Sequence, residues 1–502
     1  VNPGWIFILG MLGALACAQA AANQSKLGLL VVVLLIGVSA AMYLFSHQGL
    51  IFWLLVFTSP FTDKLGVNVG PANVRPYNLL ACAGLAWMAW QLIERRRCRQ
   101  WGIFAYFKPL FICIGLFVLA KFMTVYYVQE MPMSMSRMFI TKYMVFTVLL
   151  FATMVVTACF CTSRPRLETS LRWWLHTANG IAFWGLMQLV ISNTTHIELV
   201  HHRDVLPIGR AFSVFREPDV LGSFVGATLV MILPLLIANV QFISRKYLTR
   251  SLVFNGIMLL IVFVRAAWVA VMACLCLAVT QIYWTSLYRR FVPYMKKALL
   301  IGVIGGTLLM LMVPSFAATL QERVVSIFVP SEESASDYRM QDLSAMFNKA
   351  RPGPLTSFGT FLFGHGDLAW SFWAPTLLKE KYDRGAMELM EAGHAVLIHP
   401  GFNATLCILF DNGLLGLIFY VGFWTILTKG YFRHWRILSS DTDRALQLAT
   451  FLPILCVFIC FQFSNDPITP FFWCLIGLNL AARFHTDPAN LDNSKSPEEL
   501  SS

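Results

Sequence analysis

Long apolar runs decide what this chain can fold into. They fall near residues 5–22, 27–45, 48–61, 77–93, 108–126, 139–161, 173–192 and 219–240. Others follow near 251–264, 266–284, 297–316, 404–427, 446–463 and 468–484. A helix needs about 20 predominantly apolar residues to cross the hydrocarbon core of a bilayer. Backbone N–H and C=O groups find no water there, so segments that bond internally are expected. The pattern predicts an all-α polytopic integral membrane protein with about 12–14 transmembrane helices, 48–61 and 251–264 being the shortest runs. Of the 502 residues, 57% are hydrophobic and only 13% charged, too few polar groups to cover a water-soluble fold.

Charge sets the orientation. Arg95, Arg96, Arg97, Arg99 and Lys108 fill one connection, and Arg164, Arg166 and Arg172 another. Arg245, Lys246 and Arg250 come next, then Arg289, Arg290, Lys296 and Lys297, then Lys429, Arg433, Arg436 and Arg444. These segments alternate along the chain, and such Lys/Arg excess marks cytoplasmic connections. Both termini are therefore expected in the cytoplasm, with 193–219 and 317–403 on the other side. The net charge of +12 reads as this bias, and no nucleic-acid partner is expected. The first run, Trp5 to Ala22, ends in alanines but lacks preceding positive charge, so a retained helix is expected rather than a signal peptide.

The chain divides into N-terminal membrane helices (1–174), central membrane helices with an external arginine loop (175–316), a large external loop (317–403), C-terminal membrane helices (404–484) and a disordered cytoplasmic tail (485–502). Loops as long as the third unit are functional or structured. Within it, Met340, Leu343, Met346 and Phe347 recur at helical spacing and predict an amphipathic helix on the membrane surface or over a cavity. Most of the 12 cysteines sit inside apolar runs as small apolar residues. The C-x-C pairs Cys159/Cys161 and Cys274/Cys276 point their sulfurs to different helix faces, so neither a metal site nor a disulfide framework is expected.

Several basic residues stand against the charge rule. Arg203, Arg210 and Arg216 lie in the loop 193–219, and Arg265 sits between two apolar runs at the same outer level. An arginine at such depth is costly unless it snorkels to lipid phosphate, is paired, or lines a wet cavity. A converging set of guanidinium groups suits an anionic ligand, because the planar fork binds phosphate oxygens in pairs. His399 and Asn403 open the run 404–427 on the same side, with His394 five residues upstream of His399. A histidine there can exchange a proton near neutral pH, and Asn403 can cap the helix. Asp411-Asn412-Gly413 reads as a polar break inside the run, and Phe363-Gly364-His365-Gly366-Asp367 as a glycine turn.

Three stretches carry a resemblance to a known family. "GRAFSVFREPDVLGSFVGATLVMILPLL" (209–236), "VRAAWVAVMACLCLAV" (264–279), and "SDYRMQDLSAMFNKARPGPLTSFGTFLFGHG" (336–366) followed by "FNATLCILFDNGLLGLIFY" (402–420) resemble the O-antigen ligase and O-antigen polymerase (Wzy-type) superfamily of membrane glycosyltransferases. The likeness covers roughly 175–480. The family usually shows Asn-Leu-Gly where Asp219-Val220-Leu221-Gly222 stand, serine where Val264 stands, and often histidine where Phe402 stands; His399 is one turn earlier.

The resemblance implies an inverting, metal-independent glycan transfer at the periplasmic face of a bacterial inner membrane. The donor would be an undecaprenyl-diphosphate-linked oligosaccharide held by Arg210 and Arg265, with Arg216 and Arg339 as further candidates. His399 would serve as general base, with His394 and Asn403 as secondary candidates. No cofactor is implied. Expected partners are an acceptor glycan or lipid, membrane lipids and a chain-length regulator. Polymerisation of O-antigen or exopolysaccharide repeats is the first expectation. Ligation to lipid A core or to protein is the alternative, and a polysaccharide or lipid transporter or flippase a more distant one.

Overall fold

The protein is described by a computed structural model. It describes residues 48–60, 67–69, 72–74, 76–94, 100–124, 145–161, 163–195, 211–215, 217–283, 285–294, 296, 321, 335–351, 357–366, 370, 373–374, 403–463 and 469–487. The expected runs 5–22, 27–45 and 297–316 and the tail beyond 487 lie outside them.

The described elements are helices α1 (Gln48–Thr58), α2 (Pro76–Glu94), α3 (Gln100–Tyr106), α4 (Lys108–Thr124), α5 (Val145–Phe160) and α6 (Arg164–Thr195). Next come α7 (Pro218–Ala238), α8 (Arg245–Ile261), α9 (Arg265–Ile282), α10 (Ala335–Ala350) and α11 (Phe358–Phe363). The last are α12 (Ala404–Ile437), α13 (Asp441–Phe461) and α14 (Pro470–Thr486). The described residues are overwhelmingly helical, with one small antiparallel ribbon beside the helices, β1 (Val67–Val69) with β2 (Ala72–Val74), Val67 opposite Val74. α6 runs without a break through residues 174 and 175.

The apolar runs that fall within the described residues are helices, with ends moved for identifiable reasons. The short run 251–264 gains a charged first turn, Arg245–Arg250, capped by the Ser244 side chain, which accepts from Tyr247 N–H at 3.3 Å. α12 continues to Ile437, ten residues past the expected end, with His434 and Arg436 in its last turn, where cations suit the helix dipole. α7, α9, α12 and α13 are each long and apolar enough to cross a bilayer, and the apolar stretch of α7 is completely buried. α7 is thus the central helix, packed on α13, α8 and α9. α14 packs against α5 and α13, and α12 against α4. Small residues let backbones approach, as at Gly477 against Met154 and Thr157. Ile112, Phe183, Met272 and Ile418 are exposed on helix surfaces, as expected of a face covered by lipid.

The connections segregate to two ends. At one, Arg164 pairs with Asp443 at 3.0 Å, the Tyr106 hydroxyl donates to Asp487 at 2.5 Å, and His434 Nε2 lies 2.7 Å from Thr486 Oγ1. Ser286 bonds Asp441 at the same end, and the Arg245 guanidinium lies over the Tyr294 ring. At the other, the Thr124 hydroxyl donates to Phe363 O at 2.6 Å, and Asn403 N–H donates to Gln462 O at 3.1 Å. The Phe215 and Phe471 rings meet there at 6.0 Å between centroids. The basic connections at 164–172, 245–250, 289–296 and 429–444 thus gather at the first end.

The expected amphipathic helix is α10, but it packs against α12 rather than standing alone. Met346 is buried, whereas Phe347 is 51% exposed, and Asp342 and Lys349 are buried. Its contact face is therefore mixed rather than a simple apolar stripe.

Candidate functional site

The second end carries most of the unusual backbone. Four described non-glycine residues have positive φ, and three of them, Ser213 (52°), Phe263 (55°) and Asn403 (56°), lie here; the fourth, Asn239 (52°), ends α7 at the opposite side. Gly364, Gly366 and Gly413 also have positive φ and lie at the same end. Such conformations cost of order 1–3 kcal/mol for residues with a side chain and gather at functional sites.

Arg265 is the first residue of α9. The chain reaches it through Phe263, buried and left-handed, and through Val264, which offers no side-chain cap. Val264 is pressed against Gly222 of α7, where any side chain would collide with it. A cation at a helix N-terminus works against the helix dipole by about 0.3–1 kcal/mol, so the dipole does not account for Arg265 at this position. Its side chain is half-buried.

The segment between Arg210 and Arg216 is firmly anchored, although both arginines lie outside the described residues. Ala211, Ser213 and Phe215 are buried, and Phe215 packs against Phe224 and Phe471. Gln188 of α6 clamps Ser213 from both sides: Ser213 N–H donates to Gln188 Oε1 at 2.7 Å, and Gln188 Nε2 donates to Ser213 O at 3.1 Å. The Ser213 hydroxyl donates to Ile181 O at 2.7 Å. Gly185, one turn before Gln188, faces Met258, Ser213 and Leu221. This brings the segment beside α7 and α8, close to the start of α9.

Asn403 caps α12, as expected. Its backbone is left-handed, which asparagine tolerates, and its side-chain oxygen accepts from Leu406 N–H at 3.0 Å. Thr405 donates to Gln462 Oε1 at 2.9 Å, fixing the start of α12 to the end of α13. Cys274 Sγ contacts Leu452 O, and Gly226 of α7 faces both Val271 of α9 and Cys456 of α13, so α9 and α13 run antiparallel, and nine residues from the first contact brings Arg265 level with Phe461, beside Gln462 and Asn403. Arg265 and Asn403 thus share the same end. Arg339 lies in α10. Arg210, Arg216, His394 and His399 lie outside the described residues.

A second set of polar groups lies at this end. His365 is buried and stacked on Phe410 at 4.7 Å, and its Nε2 lies 3.4 Å from Lys349 O. Burial, then the Lys349 ammonium, lower its pKa to about 4. Lys349 Nζ sits 3.6 Å over the Trp373 ring. Lys121 of α4 is buried and donates to Thr147 Oγ1 at 3.0 Å. Cys113 Sγ meets Phe419 O at 2.9 Å, and Thr124 at the end of α4 bonds Phe363 O beside Gly364, which packs on Asp411, so Lys121 lies toward the same end as Asp411. A lysine inside an apolar run is itself the sequence signal that could have found it. Gln188 carries the same weaker signal. The pairing of the 363–366 turn with α12 had none, because it is non-local.

A scan against protein-family models finds no match, and a search of curated proteins finds none either.

Proposed function

We propose that the protein is a membrane glycosyltransferase of the periplasmic face, using an undecaprenyl-diphosphate-linked oligosaccharide to extend O-antigen or exopolysaccharide chains. The observation that carries the reading is the gathering of Arg265, the anchored segment between Arg210 and Arg216, and the left-handed residues Ser213, Phe263 and Asn403 at one end of the bundle. The basic connections lie at the opposite end, which the charge rule assigns to the cytoplasm. Arg210 and Arg265 would hold the diphosphate, whose charge they offset as it leaves. Arg216 and Arg339 would assist. His399 would take the acceptor proton, with His394 as its rival.

No step needs a nucleotide or a divalent cation. Two arginine forks can supply the charge that a metal would otherwise bring, and diphosphate is a good leaving group once neutralised. Labelling with a membrane-impermeant thiol reagent tests the orientation in a cysteine-depleted background. Ser334→Cys should react from the periplasm and Ser496→Cys only from the cytoplasm. The reverse would remove the site. Purified protein given the lipid-linked oligosaccharide should then yield longer lipid-linked chains. Transfer only to an added lipid A core acceptor would make it a ligase instead.

A further inference from the structure

α12 is not one continuous helix. Gly413 has φ 66° and ψ −170°, a conformation open in practice to glycine alone. A break there opens the hydrogen-bond ladder around the Phe410 and Asp411 carbonyls. In a membrane protein such carbonyls must find donors elsewhere. They do: His365 N–H donates to Phe410 O at 2.9 Å, and Gly366 N–H donates to Asp411 O at 2.9 Å.

The fit between the two backbones is reciprocal. A side chain on Gly364 would collide with the Asp411 carbonyl and Asn412 N, and one on Gly413 with Gly364 N and Leu362 O. Gly364 and Gly366 take φ of 85° and 93° to make the approach. The turn is held from behind as well. Phe363 O accepts from Thr124 at the end of α4, and the His365 ring bridges from Phe410 to Lys349 O at the end of α10.

We infer that residues 364–366 are a backbone splint for the break in α12, and that they position its outer segment, Ala404–Asn412, relative to α4 and α10. That segment begins at Asn403, four residues after His399. Gly364, His365 and Gly413 are thus positioning residues for whatever the start of α12 does. What that is rests on the proposed function; the splint itself does not.

The test uses the full chain in nanodiscs, with spin labels attached through noncanonical amino acids at Leu406 and Val421, one on either side of the break at Gly413. Gly364→Ala should broaden the distance distribution. It should also lower kcat with the lipid-linked donor by roughly 10²-fold, the usual consequence of a misplacement of about 1 Å, while leaving KM for the donor within about 2-fold. Gly256→Ala, whose side chain would enter open space, should change neither. If Gly364→Ala does not fold, His365→Ala replaces it, with the same expectations at smaller amplitude. A folded variant with the wild-type distance distribution overturns the splint. A broadened distribution with unchanged turnover overturns the positioning role. If wild-type protein transfers no glycan, the proposed function fails while the distance measurement still decides the splint.

Discussion

Gln188→Leu isolates the anchor of the arginine-bearing segment. The substitution keeps the size of the side chain and removes both partners of the Ser213 backbone. Gln188 is 3% and Ser213 1% exposed, so water does not replace the lost bonds. Two buried backbone groups, the Ser213 N–H and C=O, are left unsatisfied, at about 1–3 kcal/mol each. The sum is about 2 kcal/mol at the low end, or about 30-fold in the equilibrium between anchored and released segment. The bundle should persist, because the core around α7 does not depend on this residue. Hydrogen exchange at the Ser213 amide reads that equilibrium directly. It should accelerate by about 30-fold in Gln188→Leu, and donor turnover should fall with it. Gln188→Glu keeps an acceptor but regains the donor only when protonated, so its defect should shrink as pH falls. Unchanged exchange at Ser213 in Gln188→Leu would refute the reasoning.

His399→Ala should slow transfer by roughly 10²–10⁴-fold, the usual weight of a general base, with donor binding retained. The same loss in His394→Ala instead would move the base upstream. His365 has a folded pKa near 4, below the unfolded value near 6.5, so the unfolded state binds the extra proton between them. Stability should therefore be full above about pH 6.5 and fall as pH drops toward 4, a slope seen in thermal melts that His365→Phe should flatten. Asn403→Ala removes a cap and strains a left-handed position, so it should destabilise the start of α12 by about 1–2 kcal/mol, whereas Asn403→Gly should cost only a few tenths. Amide exchange at Leu406 distinguishes them.

How far the sequence could be read depends on the range of the interactions. Helix locations were legible because apolar runs report local burial, and α4, α7 and α14 lie where the runs lie. The break at Gly413 and the cap at Asn403 were legible too, since glycine and asparagine act on their own backbone. The ends of α8 and α12 were missed, because polar turns outside the hydrocarbon continue a helix without an apolar signature. The ribbon 67–74 was missed for its three-residue strands. Gln188 with Ser213, Lys121 with Thr147, and His365 with Phe410 were out of reach. Each joins residues far apart in sequence, and no spacing rule links them. Of the four arginines expected to hold the diphosphate, only Arg265 has a described side chain; its place at the start of α9 followed from lying between two apolar runs.

Binding of undecaprenyl diphosphate itself tests the central claim most directly. Wild-type protein, Arg265→Ala and Arg265→Lys would be compared in nanodiscs by titration with the lipid in EDTA. Hydrogen bonds to a charged group contribute about 1.5–3 kcal/mol, so Arg265→Ala should bind at least about 10-fold more weakly. Arg265→Lys should recover only part, since a point charge cannot make the paired contact. Equal affinity across the three proteins, or binding that requires a divalent cation, would contradict the account.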